Sequence, residues 1–404
     1  MLTYTYTARN TATGQKIKAQ VQADTEATAL KLVREQGLAP LSLKVEKAAS
    51  SRRFSRIKTK EKVLFSRQLS TLINAGLPLV QSLRSVANQT TNKPLKVVIN
   101  AVISDVESGT AFSAALEKHP KVFNRVYISI IASSETSGTL DAGLERLADQ
   151  QEKDADMMSK VRGAMIYPAI VLLVMLCVAG FMIVKVLPQV QSIYAGLKGA
   201  TLPPLTRVLL AVSHFLIHDY LIVIIVLGIL VFAATRAAKT LGGRSVIDKI
   251  KMKAWPIGPL FMKMYMARFA RTATTLVGAG VPLIRVLEIT ADAVDNMHIS
   301  KSIHNAIEKV KGGKALSDSI SDDPNFLELV PNMLHIGEQS GAMETMLDKV
   351  ASYYEKEVDN QIKAISTIIE PVMMVLMGII AITIVAAILL PIYGLVNQSG
   401  FSGN

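Results

Sequence analysis

The stretch INAGLPLVQSL at residues 73–83 returns as VGAGVPLIRVL at residues 277–287, so one chain carries an Ala-Gly-apolar-Pro-Leu phrase twice. Glycine tolerates the left-handed backbone that commonly ends a helix, and proline suits the start of the next helix because no amide donor is needed there. We therefore predict a corner between two antiparallel helices in each copy. The residues of this corner motif are Gly76, Pro78, Gly280 and Pro282.

The similarity continues on both sides of this phrase. With a shift of 204 positions, FSRQLSTLINAGLPL from Phe65 matches FARTATTLVGAGVPL from Phe269. With a shift of 203 positions, SSETSGTLDAGLERL from Ser133 matches IGEQSGAMETMLDKV from Ile336. Glycine and proline stops divide each copy into five or six short helices. The pattern predicts two homologous helical bundles, at residues 63–163 and 236–370.

Apolar runs predict three membrane-spanning helices in a mainly α-helical integral membrane protein. The run GAMIYPAIVLLVMLCVAGFMIV at 163–184 holds 22 uncharged residues, and no charged residue follows Glu370. Both runs are long enough to cross a hydrocarbon core of about 30 Å. The shorter run YLIVIIVLGILVFAAT at 220–235 predicts the third span. We place the spans at 164–186, 218–235 and 371–391.

Lysine and arginine near the ends of the spans predict the orientation. Residues 188–216 hold two of them, residues 236–271 hold nine, and the tail holds none. We therefore expect a multi-pass membrane protein with its N-terminus and both bundles in the cytoplasm. The loop at 187–217 and the tail at 392–404 then lie outside the cytoplasm.

The first 45 residues differ from the bundles. LTYTYTARN and APLSLKV alternate like strands, and DTEATALKLVREQG between them reads as a helix, so residues 1–45 predict a small α/β module. Residues 46–62 are densely basic and predict a linker, with attraction to anionic lipid headgroups as the alternative. We expect no nucleic-acid partner. The single cysteine, Cys177, can form no disulfide within the chain.

The sequence contains none of the common nucleotide-binding, hydrolase or metalloprotease motifs. It has no Gly-x-x-x-x-Gly-Lys-Ser/Thr, Gly-x-Ser-x-Gly or His-Glu-x-x-His, and its six histidines are scattered. We therefore expect no enzymatic activity and no cofactor.

Acidic residues recur around the SETSG and GEQSG turns of the two copies. They have three interpretations: complements of a positive helix terminus, contacts to a partner, or ligands of Ca²⁺ or Mg²⁺. Weak metal candidates are Glu135, Asp141, Glu338 and Glu344. The candidate partner surface is Glu135, Gly138, Glu145, Glu338, Gly341 and Asp348.

The interiors of the predicted spans are uncharged, whereas a carrier or pump usually keeps an ionisable residue within the bilayer. We therefore keep the role of a subunit in a small-solute membrane transporter or channel only as an alternative function. A membrane-bound enzyme would need a nucleophile or a metal cluster. Small residues in AGF at 179–181 and MGII at 377–380 allow close packing within the chain or self-association.

The duplicated F-x-R-x-x-x-x-L-x-x-AG-x-PL phrase, the E-x-SG turns and the YP or EP pair at the start of a span resemble the inner-membrane platform proteins of type IV pilus and type II secretion machines, the PilC/GspF family. The first 38 residues are similar to that family's N-terminal domain. The pilus, secretion and competence branches all remain open.

This resemblance implies an oligomeric platform for pilus assembly or protein transport that is not an enzyme. A hexameric assembly or retraction ATPase would dock on its cytoplasmic domains, and pilins and other inner-membrane subunits of the pilus would contact it in the membrane. The platform would couple motion of the ATPase to insertion of pilins into the growing filament.

Overall fold

The computed structural model describes residues 2–10, 16–23, 28, 30, 38–45, 57–189, 192 and 204–399. Most of the helix expected at 24–37, most of the basic linker and the last five residues of the tail lie outside the described residues.

The N-terminal unit contains a three-stranded antiparallel sheet with the order β2-β1-β3. Its strands are β1 (Leu2–Asn10), β2 (Lys16–Ala23) and β3 (Leu38–Val45). The central strand pairs Tyr6 with Ala19 on one side and with Leu43 on the other. Threonine, tyrosine and valine favour this conformation because their side chains pack well on a pleated surface.

Six helices form the first copy of the repeat. They are α1 (Thr59–Asn74), α2 (Leu79–Gln89), α3 (Lys93–Glu107), α4 (Phe112–Glu117), α5 (Arg125–Ser137) and α6 (Leu140–Phe181). A π-helical turn, Met182–Val186, continues α6.

Three helices connect the first copy to the second: α7 (Pro204–His218), α8 (Tyr220–Ala237) and α9 (Leu241–Lys253). The segment expected as a loop at 187–217 therefore contains a helix. The second span does not continue upstream as one helix, because Asp219 leaves the helical conformation between α7 and α8.

Six helices form the second copy. They are α10 (Gly258–Gly278), α11 (Leu283–Ala293), α12 (Met297–Lys311), α13 (Leu316–Ile320), α14 (Leu329–Ser340) and α15 (Met343–Ser399). The bounds of α11 and α12 equal those of α2 and α3 plus 204, so the sequence repeat is also a structural repeat.

The two copies share their core packing. Phe65 packs against Phe123 with ring centroids 5.8 Å apart, and the equivalent Phe269 packs against Phe326 at 5.3 Å. All four rings are buried. Each pair joins the first helix of a copy to the segment before its fifth helix, which closes the bundle around an aromatic contact.

Three helices of the described chain are long and apolar enough to cross a membrane: Leu140–Gln189, Tyr220–Ala237 and Met343–Leu389. The first and third do not begin at the apolar run. They begin inside the bundles and continue into the apolar run without interruption, and α15 reaches Ser399. The fold is thus mainly helical, with two repeat domains that each run directly into a candidate span.

Candidate functional site

The corner motif has the same geometry in both copies. Gly76 and Gly280 are left-handed, with φ of +84° and +78°. The amide after each glycine returns to the preceding helix, from Leu77 to the Leu72 carbonyl at 3.1 Å and from Val281 to the Leu276 carbonyl at 3.0 Å. These bonds satisfy carbonyls that the end of a helix leaves free.

The prolines of the motif stand one position before the next helix. Pro78 and Pro282 have extended backbone conformations and immediately precede α2 and α11. Their carbonyls accept the first hydrogen bonds of those helices, from the amides of Ser82 and Val286 at 2.9 Å. The motif therefore sets the turn between helices, and it presents no polar side chain for binding.

The SETSG and GEQSG turns end α5 and α14 in the same way. Gly138 and Gly341 are left-handed, with φ of +71° and +66°. A long helix follows each glycine within two residues, so these turns lead directly into α6 and α15. Both glycines of the candidate partner surface thus have a structural role in the chain.

Glu135 caps a different helix from the one in which it lies. Its carboxylate accepts hydrogen bonds from the amides of Phe112 and Ser113, at 2.6 and 3.0 Å, and from Ser113 Oγ at 2.6 Å. These amides begin α4, where the helix has no internal partner for them. Although burial raises the pKa of Glu135, the three hydrogen bonds outweigh it and lower the pKa below the ordinary glutamate value.

Glu338 makes the equivalent contacts in the second copy. It accepts hydrogen bonds from the amide of Leu316 at 2.6 Å and from both the amide and the hydroxyl of Ser317. Glutamates at equivalent positions therefore cap the short helices α4 and α13. This arrangement matches the helix-terminus interpretation of the acidic residues, with the difference that the capped helix lies earlier in the chain.

The other acidic residues near the turns occupy varied surroundings. Asp141 is exposed in the first turn of α6, and Glu145 accepts a 3.2 Å hydrogen bond from Asn74. Glu344 lies 3.6 Å from Arg146, and Asp348 is paired with Arg271. Within the described ranges, no three histidine, cysteine, aspartate or glutamate side chains are grouped as a metal would need.

In each copy one arginine joins the first helix to the long helix. Neither arginine was among the predicted site residues. Arg271 on α10 donates to both carboxylate oxygens of Glu355 on α15, at 2.7 and 3.0 Å, and to Asp348 at 2.6 Å. Burial lowers the pKa of Arg271, but its carboxylate partners outweigh burial and raise it. In the first copy, Arg67 makes the same fork with Glu152, at 2.6 Å for both bonds.

In each copy a glycine allows the fifth and sixth helices to cross closely. This glycine lies on the sixth helix in the first copy and on the fifth helix in the second copy. In the first copy it is Gly143 on α6, where a Cβ atom would lie 1.9 Å from Ser134 Oγ. In the second copy the position of Ser134 is taken by Gly337, where a Cβ atom would meet Met346 at 3.3 Å. Met346 itself is the equivalent of Gly143, so the small and large residues have exchanged helices.

The two copies also contact each other. Gln150 on α6 donates a buried 3.1 Å hydrogen bond to Thr272 on α10, and Arg125 pairs with Asp292 at 2.7 Å. Lys160 lies 2.9 Å from Asp359, which joins α6 to α15. A cavity of about 300 Å³ lies at this boundary, lined by Lys62, Gln150, Asp154, Arg268 and Thr272 among others. The bundles therefore form a joined pair rather than two independent lobes.

Comparison with known proteins accords with this duplicated architecture. Residues 65–188 and 269–391 each match the family described as type II secretion system (T2SS), protein F. Residues 1–44 match the N-terminal domain of type II secretion system protein F.

Relatives that match nearly the whole chain are named for the same two systems, type IV pilus assembly and type II secretion. The type IV pilus assembly protein PilC of Thermus thermophilus is 37% identical over 405 residues, covering 98% of this chain and 99% of the relative. PilC of Myxococcus xanthus is 35% identical, covering 95% of this chain and 93% of the relative. Type II secretion system protein F of Pseudomonas aeruginosa is 32% identical, with 95% and 96% covered. This chain is thus a membrane protein that belongs to the PilC/GspF family of type IV pilus assembly and type II secretion proteins.

Proposed function

We propose that this protein is a non-enzymatic platform in the inner membrane of a type IV pilus machine, or of the related type II secretion machine. It couples a cytoplasmic assembly ATPase to the insertion of pilins into the growing filament. The N-terminus and both bundles face the cytoplasm, and the C-terminal tail emerges on the other side. The distribution of lysine and arginine supports this orientation.

The observation that carries the proposal is the continuity of bundle and span. The helix α6 has 42 residues and α15 has 57, so at 1.5 Å per residue they extend about 63 and 86 Å. Each starts inside a bundle and ends in an apolar run. An unbroken helix transmits a displacement along its axis better than two helices joined by a loop. A force on a bundle would therefore reach the membrane.

The second element of the proposal is the middle span. The helix α8 buries none of its residues against the described part of the chain, and most of its apolar side chains, such as Leu221 and Ile225, are more than half exposed. Such a helix can face lipid, a second copy of the platform or the hydrophobic helix of a pilin. This surface supports oligomerisation and pilin contact as parts of the proposed role.

We place the docking surface of the ATPase near the turns that precede α6 and α15. Glu135 and Glu338 are poor probes of it, since their carboxylates cap α4 and α13. Asp141 and Glu145 are exposed at the start of α6 and are better suited. The double variant Asp141→Lys and Glu145→Lys should reduce co-purification with the ATPase several-fold. Glu117→Lys, an exposed acidic position at the far end of α4, is the matched control.

The function itself is tested in cells that lack the gene. Restoring the wild-type chain should restore surface filaments or secretion, and a photo-crosslinking residue at Ile225 should capture a pilin or a second copy. Purified chain in proteoliposomes should pass no small solutes. Normal filaments and secretion without the gene, or solute flux through the purified chain, would instead favour the transporter alternative.

A further inference from the structure

The helix α9, which follows the middle span, exposes apolar residues on one face. Val246 and Ile250 are each 58% exposed and lie four residues apart, so they occupy one face. Leu241, at the start of the helix, is 78% exposed. A helix on a water-soluble domain normally turns such residues toward the core.

Two polar residues of α9, Ser245 and Asp248, contact the protein instead. Asp248 is 2% exposed, and its carboxylate accepts a 3.0 Å hydrogen bond from the amide of Met297, at the start of α12. The carbonyl of Ser245 lies 3.0 Å from His298 Nε2. Asp248 is two positions from Val246, which places them about 200° apart around the helix. The apolar face is therefore fixed outward by contacts on the other side.

The only tryptophan of the chain lies just past the end of this helix. Trp255 is 79% exposed, and no other large apolar side chain in the described chain is more exposed. Tryptophan is enriched where a bilayer meets water, because its ring is apolar and its N–H is polar. It adds an exposed apolar ring five residues past Ile250.

Basic residues accompany this apolar surface. Lys249 and Lys253 are exposed on α9, and Lys239 is exposed just before it. The only acidic residue between Arg236 and Trp255 is the buried Asp248. Lysines can bury their methylene stems along apolar surface while the ammonium group reaches outward. The combination suits phosphate headgroups above acyl chains.

The position of α9 in the chain limits what can lie against it. Only residues 238–240 separate the end of α8 from the start of α9. Four Cα–Cα steps of about 3.8 Å keep Leu241 within about 15 Å of Ala237. Since α8 is a candidate span, α9 begins next to the bilayer.

From these observations we propose that α9 and Trp255 form a membrane-surface anchor that lies in the headgroup region of an anionic bilayer. Val246, Ile250 and Trp255 insert below the headgroups, and Lys249 and Lys253 contact lipid phosphates. The anchor holds the second bundle against the membrane surface. This inference requires only that α8 crosses the bilayer, so it can fail while the proposed platform function stands.

The single tryptophan makes the proposal directly measurable. The full chain is reconstituted into nanodiscs of phosphatidylcholine and phosphatidylglycerol, with bromine on the acyl chains near the headgroups, and the emission of Trp255 is recorded. If Trp255 lies about 5–10 Å deep, bromine should remove about half of its emission relative to unbrominated lipid. The emission maximum should also be shifted to the blue.

Two variants sharpen the test. Trp255→Phe combined with Tyr353→Trp moves the probe to an exposed position on the bundle part of α15, where brominated lipid should have little effect. Lys249→Gln with Lys253→Gln should weaken the dependence of quenching on phosphatidylglycerol and should leave the helical circular dichroism unchanged.

Three results would overturn the proposal. Emission that brominated lipid does not quench, but that acrylamide quenches strongly, would place Trp255 in water and α9 away from the bilayer. Emission that neither agent quenches would mean that protein covers Trp255, as expected for an interface with a second copy. Quenching of the control probe to the same extent would show that the effect is not specific to α9.

Discussion

Arg271 and Glu355 form a two-pronged ion pair between α10 and α15, and Arg67 and Glu152 repeat it between α1 and α6. The two pairs differ in burial. The Arg271 side chain is 9% exposed and that of Glu355 is 22% exposed, whereas those of Arg67 and Glu152 are 32% and 43% exposed. The same ion pair is thus largely buried in the second copy and partly exposed in the first.

This difference predicts unequal costs for equal substitutions. Glu355→Gln leaves the buried guanidinium of Arg271 undercompensated and should cost about 3 kcal/mol in free energy of unfolding. Glu152→Gln, in the more exposed pair, should cost less than about 1 kcal/mol. Thermal unfolding of the detergent-solubilised full chain, followed by circular dichroism, checks both. Equal losses for the two variants would contradict the assigned role of burial.

The glutamate caps predict a second effect on stability. Glu135→Ala removes the acceptor for two amides and a hydroxyl at the start of α4, and should cost about 2 kcal/mol because hydrogen bonds to charged groups are stronger than average. Glu338→Ala should act similarly through α13. The exposed control Glu117→Ala should change the unfolding temperature little.

The lowered pKa of Glu135 predicts the pH dependence of its contribution. In the unfolded chain this group titrates near the ordinary glutamate value of about 4.3. Because the folded pKa lies lower, the stabilisation is fully present above the unfolded pKa and is lost as the pH falls through the folded pKa. The difference in unfolding temperature between wild type and Glu135→Gln should therefore be large at neutral pH and shrink below pH 4. A difference that stays constant down to acid pH would show that the charge of Glu135 is not involved.

The exchanged glycines predict a rescue. Gly143→Met should destabilise the first copy strongly, since even a Cβ atom there would lie 1.9 Å from Ser134 Oγ. Adding Ser134→Gly recreates the glycine and methionine arrangement of Gly337 and Met346. The double variant should recover much of the lost unfolding temperature, and Ser134→Gly alone should cost less than Gly143→Met. Additive losses in the double variant would mean that the two crossings are not equivalent.

Local patterns in the sequence were sufficient to predict the helix corners. The left-handed glycines and the prolines before α2 and α11 follow from the conformations that those residues favour, without knowledge of the tertiary fold. The duplication and the apolar runs likewise predicted two bundles and three spans. The helix α7 was not predicted, since residues 187–217 were expected to form a loop.

Contacts between segments that are distant in the sequence could not be predicted from local patterns. Glu135 was placed at a helix terminus, but the helix it caps begins 23 residues earlier, at Phe112. Arg67 and Arg271 stand in the repeated phrase, yet their partners lie 85 and 84 residues away. A charged residue kept at equal positions of two diverged copies was the available signal. The outward face of α9 was missed because periodicity gives a stripe without saying which side is buried.

The proposed function requires both bundles to lie on the same, cytoplasmic side of the membrane and to continue directly into their spans. Single cysteines at Glu117 and at Asp322, exposed positions in the first and second copies, test it in a Cys177→Ser background. A membrane-impermeant maleimide should label both cysteines in inverted inner-membrane vesicles and neither in intact spheroplasts. Labelling of the two positions from opposite faces of the membrane would contradict the account.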